Sequence, residues 1–111
     1  MLQWIKSKIA GTPKKTKREI LAEIERGDLV KVYLKPASYF SRCYPGGTQR
    51  LDNDLIAERQ VVGNVTNCIW RQSEKLWTVS VSIGRRSGIM REYLFLEDEI
   101  EEIRKVNTND L

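Results

Sequence analysis

Residues 76–83, LWTVSVSI, alternate strictly between apolar and small polar side chains after the first position. Successive side chains of an extended chain point to opposite faces, so this period of two sets Trp77, Val79, Val81 and Ile83 on one face and Thr78, Ser80 and Ser82 on the other. The stretch reads as a half-buried strand with Trp77 in the core. The same period recurs on either side of it. Val30, Val32 and Leu34 point one way while Lys31, Tyr33 and Lys35 point the other. RQVVGNVTNCIWRQ, residues 59–72, alternates again around Gly63, a residue that inside a strand marks a bulge or a sharp bend. SEK at 73–75 and GRRSG at 84–88 are turns, IMREYLFL pairs back, and EDEIEEIRKV reads as one helical turn followed by a short closing strand. Five short strands of this kind curl into a small barrel or sandwich, which removes exposed edges.

Before residue 28 the period is helical. Leu2, Ile5 and Ile9 recur at helical spacing with Trp4 alongside, until Gly11, Thr12 and Pro13 end the pattern. In TKREILAEIERGD, Thr16 and Glu19 have the spacing of a capping box, Ile20, Leu21 and Ile24 form an apolar face, and Gly27 stands where a C-terminal cap belongs. A second helix is expected over about 17–26. Helices this short do not persist alone in water, so their apolar stripes pack on the rest of the chain or on a partner. The expected organisation is a basic amphipathic helical extension at 1–27, a barrel at 28–106 and a polar tail at 107–111.

The succession GDLVKVYLKP, VVGNV, LWTVSVSI, REYLFLEDEIEEI, covering about Gly27 to Val106, resembles bacterial SH3-like barrels. That family includes the small stromal accessory subunit of photosystem I and the variable chain of ferredoxin-thioredoxin reductase. The resemblance lies in a Gly-Asp-x-Val start, a Gly-x-Val in the second strand and a terminal Asp-Glu-Ile-Glu segment. It implies a mainly β fold, a small five-stranded SH3-like barrel with an N-terminal helical extension. The basic extension and the longer first loop depart from the pattern, so the resemblance implies the fold and not an electron-transfer role. KOW-type ribosomal and transcription modules share a comparable Gly-x-Val signature, which keeps RNA binding open by analogy.

With 111 residues and 41% hydrophobic content, the chain suits one domain with a modest core. The start MLQWIKSKI has lysines inside its apolar pattern and no run approaches the roughly 20 residues needed to span a bilayer, so a cytoplasmic protein is expected. Cys43 and Cys68 are read as two reduced thiols. The net charge of +4 is unevenly spread: residues 1–50 hold 11 Lys/Arg and 4 Asp/Glu (+7), whereas residues 51–111 hold 8 and 11 (−3). Lys6, Lys8, Lys14, Lys15, Lys17 and Arg18 all precede the first acid, Glu19. Such a segment is drawn to phosphates or acidic protein surfaces, or serves as a solubilising arm.

No catalytic constellation stands out. The chain has no histidine, which removes the usual general base and the commonest metal ligand, and two cysteines 25 positions apart do not supply a structural zinc site. YPGGTQR lacks the spacing and lysine of a phosphate-binding loop. Asp52, Asp54 and Glu58 form the carboxylate cluster nearest the long loop, but Asp-Asn-Asp is ordinary turn chemistry. Glu97, Asp98, Glu99, Glu101 and Glu102 read as a solvated face. No catalytic residues, metal site or cofactor are expected.

What remains is the loop after Pro36, which holds Tyr39, Phe40, Arg42, Tyr44 and Arg50. In an SH3-like barrel the longest loop, between the first two strands, lies beside a shallow groove. These rings and guanidinium groups either face a partner or, for Phe40 and one tyrosine, turn inward to plug the open end of the barrel. Trp70 beside Arg71, and Arg85 and Arg86 in the later turn, are further exposed candidates. The expected function is a protein-interaction adaptor that docks on a larger assembly through Trp4, Ile5, Lys6, Lys8, Lys14 and Lys15 together with the aromatic loop. Nucleic acid is the alternative partner, through the same basic and aromatic residues; a membrane surface fits poorly, because one short amphipathic segment anchors weakly.

Overall fold

A computed structural model describes residues 15–48, 50–85 and 88–106 of the chain. The first helical segment with Leu2, Trp4, Ile5, Lys6, Lys8, Ile9 and Lys14, the turn residue Arg86 and the tail 107–111 lie outside the described residues.

Helix α1 spans Lys17–Glu23 and begins with the capping box expected of Thr16 and Glu19, the Thr16 hydroxyl accepting the Glu19 amide and the Glu19 carboxylate accepting the Thr16 amide. It stops at Ile24, which is already extended, earlier than the glycine suggested. Gly27 instead serves the turn beyond, with φ at +95° and its N–H on the Val65 carbonyl. Leu21 and Ile24 are buried with the strand residues, so α1 is packed on the sheet rather than standing apart from it.

The strands are β1 (Leu29–Leu34), β2 (Gln60–Arg71), β3 (Leu76–Gly84), β4 (Met90–Leu96) and β5 (Ile100–Lys105), with a single 3₁₀ turn, Glu97–Glu99, before the last. They form one antiparallel sheet in the order β4-β3-β2-β1-β5. The long β2 serves two neighbours in succession, pairing with β1 through residues 60–64 and with β3 through residues 64–71. Gly63 sits at this change of partner. A Cβ there would lie 2.3 Å from the Ser82 carbonyl oxygen and 2.8 Å from Val81 Cγ1, so only glycine lets the two strands approach. The register shift itself falls between Val65 and Asn67.

Inward positions follow the expected alternation. Val30, Val32 and Leu34 of β1, Val79, Val81 and Ile83 of β3, Tyr93 and Phe95 of β4 and Ile100 and Ile103 of β5 are buried in one core. Full burial of each such side chain stabilises the fold by about 1.5–3 kcal/mol relative to exposure. Trp77 corrects the expectation of a core residue: it lies at the margin, half-buried, edge-on to Trp70 at 5.7 Å.

Two further differences concern the stretch after Pro36 and the closure of the sheet. The long connection is largely helical, with α2 at Ala37–Cys43 and α3 at Asn53–Glu58. Proline's fixed φ suits a helix start, and here Pro36 stands at the N-cap of α2 with φ −64°. The sheet is not closed: β4 and β5 are its two edges and no ladder pairs them. Side chains of the 3₁₀ turn serve the backbone of β3 and β4: Glu99 accepts the Leu96 amide at 2.9 Å and Glu97 accepts the Trp77 amide at 3.0 Å. Arg50 adds a donor to the Leu94 carbonyl at 2.9 Å.

Candidate partner-binding face

The loop residues divide between the interior and the surface. Phe40 is 4% exposed and belongs to the core, so its expected role in partner contact is replaced by anchoring of α2. Tyr44, one helical turn on, stacks on Phe40 at 6.5 Å and donates its hydroxyl to Glu99 Oε2 at 2.7 Å. Arg50 completes the cluster. Its Nη2 reaches Glu99 Oε2 at 2.5 Å and the Tyr44 hydroxyl at 3.1 Å, and its Nη1 reaches Glu99 Oε1 at 3.1 Å. Tyr44 and Arg50 are therefore engaged by the fold itself.

This cluster also corrects the reading of the acidic run as a solvated face. Glu99 has no exposed surface and Glu97 is 6% exposed. Glu97 is held by Arg18, whose Nε and Nη2 donate at 2.9 and 3.1 Å, and by the Trp77 amide. Burial pushes the Glu97 carboxyl up, but the Arg18 hydrogen bond, the Trp77 N–H and the charges of Arg18 and Lys17 outweigh it and hold the carboxyl below its ordinary 4.5. Asp98, Glu101 and Glu102 do lie toward solvent.

Tyr39 and Arg42 are brought together on the outside of α2. The Arg42 guanidinium and the Lys35 ammonium each lie 5.9 Å from the Tyr39 ring centre. Burial first, then a hydrogen bond with Cys43, pushes the Tyr39 hydroxyl up to about 12, so it stays a neutral phenol at any physiological pH. Beside it the outward face of β1 repeats the arrangement. Lys31 lies 5.2 Å and Arg104 5.1 Å from the centre of the Tyr33 ring, and the Arg104 Nη2 donates to the Tyr33 hydroxyl at 3.1 Å. A cation over an aromatic face is held by the ring quadrupole, at about 0.5–1 kcal/mol in exposed positions. Lys31, Tyr33 and Arg104 were not singled out from the sequence. The signal was present in the alternation of β1, which puts Lys31, Tyr33 and Lys35 on one side, but only the pairing of β5 brings Arg104 to them.

The other candidates lie elsewhere. Lys15 pairs with Glu23 at 2.7 Å on α1, away from α2 in sequence and in pairing. Arg85 is mostly buried and 3.6 Å from Glu58; it lines a polar cleft of about 740 Å³ with Asp52, Asp54, Glu58 and Arg91. Asp52 is engaged as well, accepting the Tyr93 hydroxyl at 2.5 Å and lying 4.0 Å from Arg91. Among the described residues no group of three or more Cys, Asp or Glu side chains is placed to hold a metal ion, and no helix is long and apolar enough to cross a membrane. Both cysteines are free; burial pushes the Cys68 thiol up to about 11, and the thiol faces the Leu21 carbonyl at 3.3 Å. Trp70 is half-buried beneath the Arg18 guanidinium, 5.3 Å from its ring centre.

No protein-family model, curated protein or solved structure matches the chain.

Proposed function

We propose that this chain is a non-enzymatic, cytoplasmic binding module of SH3-like barrel type that docks on a protein partner. The barrel assignment is supported by the strand order, by the longest connection falling between β1 and β2, and by the Asp-Glu-Ile-Glu segment at the 3₁₀ turn and the start of β5. The single observation that carries the function is the doubly flanked pair of rings: Tyr33 with Lys31 and Arg104, and Tyr39 with Lys35 and Arg42. Tyrosine and arginine are enriched among the residues that dominate protein-interface energetics, tyrosine because it buries a large rigid area and carries a polar tip, arginine because its planar guanidinium offers several donors at once. Here Tyr39 is presented by a connection anchored through Phe40, Leu51 and Leu55, which lowers the ordering cost of binding. The cations at positions 6, 8, 14 and 15 add to the attraction for an acidic partner.

Nucleic acid is the second reading, favoured by the +7 balance of residues 1–50. It ranks below the first because each ring already carries two cations over it, where a base would have to stack.

The test is affinity capture from lysate of the native host on the immobilised chain, with and without nuclease, and with a Tyr39→Ala/Arg42→Glu variant. A protein captured after nuclease treatment and lost with the variant supports the docking reading. Loss of all captured material on nuclease treatment assigns the face to nucleic acid. Capture unaffected by the variant removes this face from the function.

A further inference from the structure

We infer that the free edge of β5 takes up an extended, uncharged segment of a protein partner as an added strand, in the cleft between β5 and α1. This is a second surface, and what it binds does not depend on the ring face of β1 and α2.

The main chain of β5 is paired on one side only. Val106 donates its N–H to the Leu29 carbonyl at 2.8 Å, and in the same register Arg104 stands opposite Lys31 and Glu102 opposite Tyr33. Hydrogen-bonded residues alternate along an antiparallel pair, so 102, 104 and 106 turn their N–H and C=O groups to β1. Those of Ile103 and Lys105 point away from the sheet, and among the described residues no hydrogen bond takes them up. The opposite edge differs: on β4 the Leu94 carbonyl accepts from Arg50 and the Leu96 amide donates to Glu99. An edge left unpaired is a template for another strand.

Beyond the β5 edge lies a cleft of about 590 Å³, with residues 101–105 as one wall and Lys15, Lys17 and Ile20 as the other. Because α1 stands along the edge, the sheet of a second copy is kept off, and a single extended chain is what fits between the walls. Five strand residues at about 3.3–3.4 Å each set its length at about 17 Å.

The charges of the walls are engaged within the chain. Lys15 pairs with Glu23 at 2.7 Å, Glu101 with Lys35 at 3.4 Å, Arg104 with Glu102 at 3.3 Å and Lys105 with Asp28 at 3.6 Å. Lys17 donates to the Glu97 and Ile100 carbonyls at 2.8 and 2.9 Å. What is left for a ligand is the main chain of Ile103 and Lys105, and the half-buried Ile20 across from it. The segment is therefore recognised through its peptide groups, and its alternate side chains that turn in toward Ile20 are apolar.

The experiment titrates the isotope-labelled full chain with the peptide Ser-Val-Thr-Val-Thr-Val-Ser at low and high salt, following amide shifts and hydrogen exchange. Two further probes are the same peptide with its peptide nitrogens methylated, which keeps the side chains and removes the donors, and Ser-Glu-Thr-Glu-Thr-Glu-Ser. The valine peptide is expected to bind with an affinity that salt leaves unchanged, and the other two about tenfold or more weakly. Binding should newly protect the amides of Ile103 and Lys105, while those of Glu102 and Arg104, already bonded to β1, stay as they were. Lys105→Pro removes one outward donor and spares the ladder, so it should weaken binding about fivefold, whereas Lys105→Ala should not. Failure of the valine peptide to bind, equal binding of the methylated peptide, tighter binding of the glutamate peptide, or protection centred elsewhere each overturns the inference. So does an unchanged affinity in a folded Lys105→Pro variant. Dimerisation of the free chain that protects Ile103 and Lys105 assigns the edge to a second copy and overturns it as well.

Discussion

Glu99 has no exposed surface, yet it accepts hydrogen bonds from Arg50, Tyr44 and the Leu96 amide. A buried carboxylate is tolerated only when its lone pairs are filled, and three different donors fill these. Removing one side of such a pair strands the other, so Glu99→Ala is expected to cost about 3–5 kcal/mol in chemical denaturation, and Glu99→Gln less, because the amide keeps an acceptor for Arg50. Glu97 makes the corresponding prediction for pH. Its carboxyl is held below the ordinary 4.5 in the fold. A lowered folded value means that its contribution is fully present above the unfolded value and is lost as pH falls through the folded one. Melting temperatures measured from pH 7 downward should therefore fall below about pH 4.5, and Glu97→Gln should flatten that fall. Neither glutamate was legible as buried from the sequence. In EDEIEE every acid looks alike, and what separates Glu97 and Glu99 from Asp98, Glu101 and Glu102 is the arrival of Arg18 and Arg50 from positions 79 and 49 residues away.

The elements were legible in proportion to how local their signals are. The capping box of α1 and the alternation of β1 and β3 are carried within a few residues, and both appear where the pattern put them. Helices α2 and α3 do not follow from the pattern, because Pro36 breaks the strand and the Asp-Asn-Asp run has the chemistry of a turn. The missed signals were helical all the same: Phe40 and Tyr44 at i, i+4, and Asp52 at an N-cap ahead of Leu55. The marginal place of Trp77 escapes the pattern for a related reason. Alternation tells which face a side chain takes but not how far along the strand the core extends. Gly63 is the element-scale position most open to test. A Cβ at 2.3 Å from the Ser82 carbonyl meets backbone, which cannot swing aside, so β2 and β3 would have to separate. Gly63→Ala should lower stability by about 1–3 kcal/mol or more, with loss of amide protection at residues 64, 81 and 82 in hydrogen exchange. A variant melting like the wild type would show that the two strands part without cost.

At the scale of the molecule, the described core runs from Leu21 to Ile103, and α1, the strands and the helices of the long connection all contribute to it. Deleting residues 1–14 removes none of those side chains and leaves Thr16 to cap α1. The truncated chain should melt within about 4 °C of the full one, a shift of under about 1 kcal/mol at this size, while partner capture weakens through loss of Lys6, Lys8 and Lys14. A much larger drop in melting temperature would make the segment part of the folding unit. The sequence by itself determined the mainly β class, the strand segments and the capped helix, since each follows from period, capping chemistry and turn residues that act over a few positions. It also located the charge asymmetry and the gathering of Tyr39, Phe40, Arg42, Tyr44 and Arg50 on one short stretch. Only the tertiary structure decided that the sheet has β4 and β5 at its edges, that Glu97, Glu99 and Arg50 serve backbone groups of β3 and β4, and that Arg104 joins Lys31 over Tyr33. Those outcomes depend on contacts between distant parts of the chain, where burial and pairing override what any side chain would do in water.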